Sequence, residues 1–333
     1  MDIKFFKAGQ GDSILISSNS HNILIDGGND SSFLLKEIDA IKERKEVLNL
    51  IIITHHDDDH IKGIEDLLKH IDTFPNRDQF VKQIFLNSPR LIKGMLKDTD
   101  DSHLSYKQAY EMEDLITRFH FLAGCCTDNT PVIKFENLSI QALSPTQECI
   151  EKYSNAKGAY LSSDHRCDWG ERLFDLEKSL DDDSLDSDAA NRTSIVLNVK
   201  FDDKNILLTG DITPKRFNDI IDKMYYDNGN QPVLFDLIKL PHHGSYRNLS
   251  KGILEKINCT KFVICTNGKN NFLPNKRAML KVLKHTYREK DQELEFIFNY
   301  EEVLDYLKIT SEEMKHYNFK LTSTKNDYYG ISY

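Results

Sequence analysis

No two of the six cysteines (Cys125, Cys126, Cys149, Cys167, Cys259 and Cys265) stand at Cys-x-x-Cys spacing. Neither a thiolate zinc site nor a redox pair is signalled, and reduced thiols are expected. Also missing is any run of about 18 or more consecutive apolar residues. The opening Met1-Asp2-Ile3-Lys4-Phe5-Phe6-Lys7 lacks the charged-then-apolar order of a secretion signal. No membrane contact is expected, and the chain reads as cytoplasmic. There is no basic excess: 43 Lys and Arg face 53 Asp and Glu, a net charge of −10, which argues against an all-over basic nucleic-acid binder. The acid is concentrated, however. Between Asp164 and Asp188 ten acids stand against Arg166, Arg172 and Lys178, so the remainder is close to balance and leaves room for a local basic groove. Core material is plentiful, with 39% hydrophobic residues, 18 Phe and 14 Tyr in 333 residues.

Periodicity and breakers alternate strands with helices. Residues 2–8, 12–17 and 22–26 read as a β-meander, Ser31 to Lys45 as a helix, and Leu48 to Ile53 as a buried strand because its apolar run is nearly continuous. A helix over Ile61–His70, a strand at 81–86, a helix at about 103–123 and a hairpin at 131–135 and 138–143 follow. The stretch from about 146 to 190 is polar and reads as an acidic insertion, with Ser179 to Asp188 as a mobile loop. Beyond it come strands at 194–201 and 205–209, a helix at 213–225, and a strand at 234–240. A helix from about 249, a strand at 261–265, a helix at 276–289, and strands near 295–298 and 303–308 complete the chain. Both halves begin β-rich and continue as strand-loop-helix units, which suits two packed mixed sheets with helices outside. A single domain over 1–333 is expected, with a C-terminal extension from about 291.

The densest chemical signal is Thr54-His55-His56-Asp57-Asp58-Asp59-His60, directly after the buried strand. A solvated acidic loop of that density would repel itself without a cation, and the histidines add nitrogen donors suited to a divalent transition metal. Three more strand ends fit one site: Leu24-Ile25-Asp26-Gly27-Gly28, Leu207-Leu208-Thr209-Gly210-Asp211 and Leu240-Pro241-His242-His243-Gly244-Ser245. Each alone has a bland reading, since a strand-end Asp often caps a turn and a His pair is often structural.

Together and in this order they resemble the metallo-β-lactamase-fold hydrolase superfamily. With Ala8-Gly9-Gln10-Gly11-Asp12-Ser13 they are similar to the hydrolase domain of the DNA-uptake protein ComEC and its free-standing bacterial relatives. The resemblance implies an α+β fold, a four-layer αββα sandwich, with the metal centre where both sheets end. By position it makes His55, Asp57, Asp59, His60, Asp211 and His242 metal ligands, with Asp211 bridging two ions. Asp59 and His243 become the candidate catalytic groups, Asp59 orienting a water and His243 donating a proton, and Asp26 a buried orienter of the ligand loop. Asn191, where relatives place a further His, and His56 are added candidates for the metal or its surroundings. Asp57 and Asn191 both replace nitrogen by oxygen, which favours Mn²⁺ or Mg²⁺ over Zn²⁺ at one of the two positions. One or two divalent ions are therefore expected.

Arg247 and Lys269 border that centre and are candidates for holding phosphate, although Lys269 also reads as a solvated turn residue. Trp169, Tyr153 and Tyr160 read as packing of the insertion, or as stacking partners for bases. The leading expectation is a metal-dependent phosphodiesterase acting on DNA or RNA, with nucleic acid as substrate. A small-molecule phosphodiester or lactone hydrolase stays open, because one fold hosts many reactions. So does a non-catalytic metal-binding module that meets a protein partner through the acidic insertion.

Overall fold

The computed structural model describes residues 1–92, 107–153, 167–180, 185–186, 191–269, 271–289 and 291–333. Strands β1 (Asp2–Phe6), β2 (Ile14–Ser18) and β3 (His21–Ile25) form the antiparallel meander. After helix α1 (Ser32–Glu43) the direction changes, and β4 (Val47–Ile53) lies parallel to β3. Helices α2 (Asp58–Ile71) and α3 (Arg77–Phe80) lead to β5 (Ile84–Leu86), and α4 (Pro89–Ile92) and α5 (Lys107–Arg118) precede β6 (Ala123–Gly124), both strands again parallel.

The second sheet repeats this plan. The hairpin β7 (Ile133–Phe135) and β8 (Leu138–Ser144) is followed by α6 (Gln147–Tyr153) and α7 (Leu173–Leu176). Strands β9 (Val196–Phe201) and β10 (Lys204–Leu208) add antiparallel, then α8 (Pro214–Asp227) crosses over. Strand β11 (Val233–Leu234) stands outside the sheet, and β12 (Leu237–Lys239) rejoins it parallel to β10. Helix α9 (Lys251–Leu254) leads to β13 (Ile257–Asn258), which pairs with β11, and β14 (Lys261–Ile264) is parallel to β12. Helix α10 (Lys276–His285), β15 (Leu294–Phe298), α11 (Glu302–Leu307), α12 (Ser311–Tyr317) and β16 (Phe319–Ser323) finish that sheet. The chain then crosses to the first sheet, where β17 (Tyr328–Ser332) pairs antiparallel with β1.

Alternation along the strands builds the layers. Ile23, Ile25, Leu50 and Ile52 face Leu197, Val199, Ile206 and Leu208 in the inter-sheet core. Leu24, Ile51 and Ile53 point the other way and pack with Ile38 of α1, Ile64 and Leu68 of α2 and Met112 of α5. The outer face of the second sheet is covered by Phe217 and Ile221 of α8 and Met279 and Leu283 of α10. Each such fully buried aliphatic or aromatic side chain contributes about 1.5–3 kcal/mol. The result is the four-layer αββα sandwich.

Several expectations are corrected. Residues 303–308 are not a strand: Val303 and Leu307, one helical turn apart, are both buried and α11 forms instead. Helix α2 begins at Asp58, so three residues of the ligand-rich string lie in its first turn. The expected strand 234–240 divides between two sheets, and β16 and β17 were not anticipated because their faces are half-exposed and mostly polar. From residue 291 onward the chain supplies strands to both sheets. In the acid-rich stretch, Leu173, Leu176, Leu180 and Asp186 are buried, so these residues are packed, while most of Ser179–Asp188 lies outside the described residues. Trp169 stacks on Tyr306 with ring centroids 5.2 Å apart, and Tyr160 lies outside the described residues. All six cysteines are free. Among the described residues no helix is long and apolar enough to cross a membrane.

Candidate metal centre

The first half of the site hangs on β3 and β4. Asp26, at the end of β3 with a φ of 56°, accepts Thr54 N–H at 2.7 Å through Oδ1, and Thr54 Oγ1 at 2.7 Å and His60 Nδ1 at 2.8 Å through Oδ2. His60 is thereby turned so that Nε2 is its free face. Backbones must meet for this to happen. A Cβ on Gly27 would stand 2.4 Å from Ile64 N, and one on Gly11 would stand 1.6 Å from Asp59 O, so only glycine lets the turn after β3 and the β1–β2 loop close on α2.

The second half hangs on β10 and β12. Asp211 follows β10, its N–H donating to Ser194 Oγ at 3.0 Å. After β12 the chain makes a tight turn over Pro241–Gly244 in which His242 and His243 both take left-handed φ values, 48° and 53°. Strain of this kind costs about 1–3 kcal/mol per residue and persists where surrounding contacts impose it; here His242 N–H donates to Gly210 O at 3.1 Å and Asn275 N–H to Gly244 O at 3.0 Å. His243 Nδ1 donates to Cys265 O at 2.9 Å, which leaves Nε2 directed at Asp211 Oδ2, 3.3 Å away, and at Asp59 Oδ2, 3.1 Å away. His60 Nε2 reaches the same Asp211 oxygen at 3.4 Å.

Asp12, His60, Asp211 and His243 are all buried and offer one donor atom each within 4.8 Å of one another. Nε2 of His60 and His243, Oδ1 of Asp211 and Oδ1 of Asp12 have no hydrogen-bond partner among the described residues. A buried polar atom left in that state costs about 1–3 kcal/mol, and a divalent cation removes the cost for several at once. Two imidazole nitrogens with carboxylate oxygens form a donor set that fits Zn²⁺ or Mn²⁺.

The charges agree. Burial is the largest single influence on His60 and His243 and works against their charged forms, but Asp211, Asp26 and Asp59 together at His60, and Asp211, Asp12 and Asp59 together at His243, override it and hold both well above the usual histidine range. Asp211, despite its burial, is held well below the carboxylate range by His243, His60 and His242. Lys239, fully buried, bonds Asp12 Oδ2, donates to Gly210 O at 3.2 Å and stands 3.7 Å from Asp211 Oδ1. Asp12, which burial alone would raise, is lowered to about 2 chiefly by Lys239.

The expected residues are distributed unequally. His243, rather than His242, joins His60 and Asp211 in the tight group. His242 has 31% of its side chain exposed, with Nε2 3.8 Å from Asp211 Oδ2. Asp59 rims the group on the solvent side. His55 and Asp57 form a neighbouring pair, Nε2 to Oδ2 at 3.5 Å, outside the group, and His56 is buried on the same loop. Asn191 is buried but directs Nδ2 to Asp186 at 2.9 Å. Arg247 is half-buried, its Nη2 donating to Leu185 O at 3.4 Å, and Lys269 is exposed. Asp12 and Lys239 were missed as site residues. A lysine inside the apolar run Leu237–Leu240 was the available signal, because a fully buried lysine requires an acid partner.

Residues 6–73 match the Metallo-beta-lactamase superfamily. No curated protein matches the chain. Similar solved structures include Zn(2+)-bound PqqB from Methylobacterium extorquens, at 11% identity and a TM-score of 0.46 over 100% of both chains. Unliganded yeast PDE1 is similar at 10% identity and a TM-score of 0.46 over 98% of each chain. The short form of human tRNase Z is similar at 11% identity and a TM-score of 0.44, covering 100% of this chain and 99% of that one. The matched N-terminal segment, carrying Asp26 and the His55–His60 string, and the two mixed sheets enclosed by helices make this the metallo-β-lactamase fold.

Proposed function

We propose that the chain is a metal-dependent hydrolase of phosphodiesters, with DNA or RNA as its substrate. The observation that carries the reading is the convergence of unpartnered Nε2 atoms of His60 and His243 on one oxygen of Asp211. These three, with Asp59 at the rim, would hold one divalent ion, and His55 with Asp57 supply donors for a second. When bound, such an ion supplies Lewis acidity toward a phosphoryl oxygen and acidifies a water. The chain's own residues do the rest. Asp59, partly exposed above the group, would orient the attacking water. His242, half-buried beside Asp211, would pass a proton to the leaving oxygen. Arg247 and Lys269 supply positive charge toward a phosphate. A carboxylate-rich site would repel a phosphodiester without a cation, so anionic substrate and metal belong together. The motif order, similar to the ComEC hydrolase domain, supports nucleic acid as the polymer.

The test measures co-purified metal and the cleavage of single- and double-stranded DNA, RNA and a small aryl phosphodiester under Zn²⁺, Mn²⁺ and Mg²⁺. Metal-dependent cleavage of a polymer is expected. Cleavage of the small diester alone would overturn the nucleic-acid reading, and protein that takes up no metal would overturn the whole proposal.

A further inference from the structure

Among the described residues, the acid-rich stretch sends the carboxylate of Asp186 toward the site. Asp186 is buried, and its Oδ2 accepts Nδ2–H from Asn191 at 2.9 Å and from Asn248 at 3.0 Å. Its backbone is tied down as well: Asp186 N–H donates to Arg247 O at 3.0 Å, and Arg247 Nη2 donates to Leu185 O at 3.4 Å. Asn248 is fully buried, and its Nδ2 also donates to Ile212 O at 2.9 Å, the residue next to Asp211. The amide of Asn248 therefore has both N–H groups committed to acceptors, and its Oδ1 is what faces His242 Nδ1, at 3.2 Å.

Polarity propagates along this chain. The Ile212 carbonyl and the Asp186 carboxylate oxygen both accept from Asn248 Nδ2, so between them they turn the amide nitrogen inward and its oxygen to His242. An oxygen facing Nδ1 requires a proton there. Asp211 Oδ2, 3.8 Å from Nε2, attracts a proton to the other side of the ring, so in neutral His242 the Asn248 oxygen is what tips the balance to the Nδ1–H tautomer. The Asp186 carboxylate, 3.6 Å from His242 Nδ1, favours the same proton position directly.

We propose that Asp186 is a positioning residue of the site: acting through Asn248, it fixes the tautomer and ring orientation of His242, so that part of the acid-rich stretch belongs to the reaction centre. The consequence for activity rests on the hydrolase reading; the consequence for the imidazole does not.

The experiment uses the full chain with ¹⁵N-labelled histidine, the His242 signal being assigned by its absence in His242→Gln. Wild type is expected to show one Nδ1–H tautomer at His242 once the ring is neutral. Asp186→Ala should give a mixture of tautomers and a fall in kcat of about ten- to a hundredfold, with KM changed less than about threefold. Asp186→Asn keeps an acceptor oxygen and should recover most of both. Asn248→Ala should reproduce Asp186→Ala, and the double variant should be no worse than either single one, because the two act as one chain. If Asp186→Ala does not fold, Asn248→Ala reads the same link from its other end. An unchanged His242 tautomer in the Ala variants, losses confined to KM, or no recovery with Asn would overturn the proposal. If wild type cleaves no phosphodiester, the hydrolase reading fails, and the tautomer still decides the role of Asp186.

Discussion

His60 and His242 stand on opposite walls of the same site and are held in different ways. His60 is fully buried, and Nδ1 meets the Asp26 carboxylate directly at 2.8 Å. His242 keeps 31% of its side chain exposed, and Nδ1 meets a neutral amide, Asn248 Oδ1, with Asp186 one step behind. Direct support by a buried carboxylate raises the basicity of the opposite nitrogen and locks the ring, which suits the ligand role proposed for His60. Support through an amide fixes the proton position, while the ring stays at the solvent edge and can exchange protons with a substrate. Their shared point is Asp211 Oδ2.

The largest effect should come from removing that point. Asp211→Asn is expected to lose the bound metal and to lower phosphodiester cleavage at least about a thousandfold under every metal. Metal analysis and kinetics check it, and retained metal would show that the two walls do not meet there. Next comes the division between the adjacent histidines. His243→Asn should lose the metal, whereas His242→Asn should keep it and lose about a hundredfold in kcat. Equal loss of metal from both would erase the distinction between ligand and proton carrier.

A smaller catalytic but larger folding effect is expected at Asp26. Asp26→Ala leaves Thr54 N–H, Thr54 Oγ1 and His60 Nδ1 without their buried acceptor. It should cost about 3–5 kcal/mol of stability and about ten- to a hundredfold in metal affinity. Asn248→Ala should be milder in denaturant titrations; if it is the more damaging of the two, the contrast between static and adaptable walls is wrong.

Charge gives a further check. In metal-free protein the raised values of His60 and His243 contribute stability that is complete below about pH 6.5, their unfolded value, and is lost as pH rises through the folded values. Asp211, lowered on folding, contributes stability above its unfolded value near 3.9, lost as pH falls through the folded one. Urea midpoints in chelator should therefore fall from pH 6 to pH 9, while affinity for metal rises over the same interval as the imidazoles lose their protons. A metal-free midpoint that climbs with pH would contradict the charge arrangement. The smallest effect is expected from Asp57→His. It places a nitrogen donor beside His55, outside the buried group, and should raise zinc uptake at a second position with little change in the first.

The sequence showed more of which donor atoms gather at this sheet edge than of how they share their partners. The His55–His60 string was legible because a strand as apolar as Leu48–Ile53 must be buried, and whatever follows it emerges at a sheet edge. Asp211, His242 and His243 were legible for the same reason. What could not be read was which of two consecutive histidines points inward. That depends on left-handed backbone at both, imposed by hydrogen bonds to Gly210 and from Asn275. The Asp12–Lys239 pair joins residues more than two hundred positions apart, and Asp186 sits in a stretch whose composition resembles a solvated loop.

The sequence by itself determined the layers, through alternation and apolar runs, and the kinds of donor atom available at the strand ends. Those are local properties, set by side-chain type and by periods of two and 3.6 residues. Only the tertiary structure decided which nitrogens lack partners, which lysine neutralises which carboxylate, and which imidazole faces solvent. Each of these is fixed by groups distant in the chain that compete for the same few hydrogen-bond directions in a buried space, and no local pattern records the outcome of that competition.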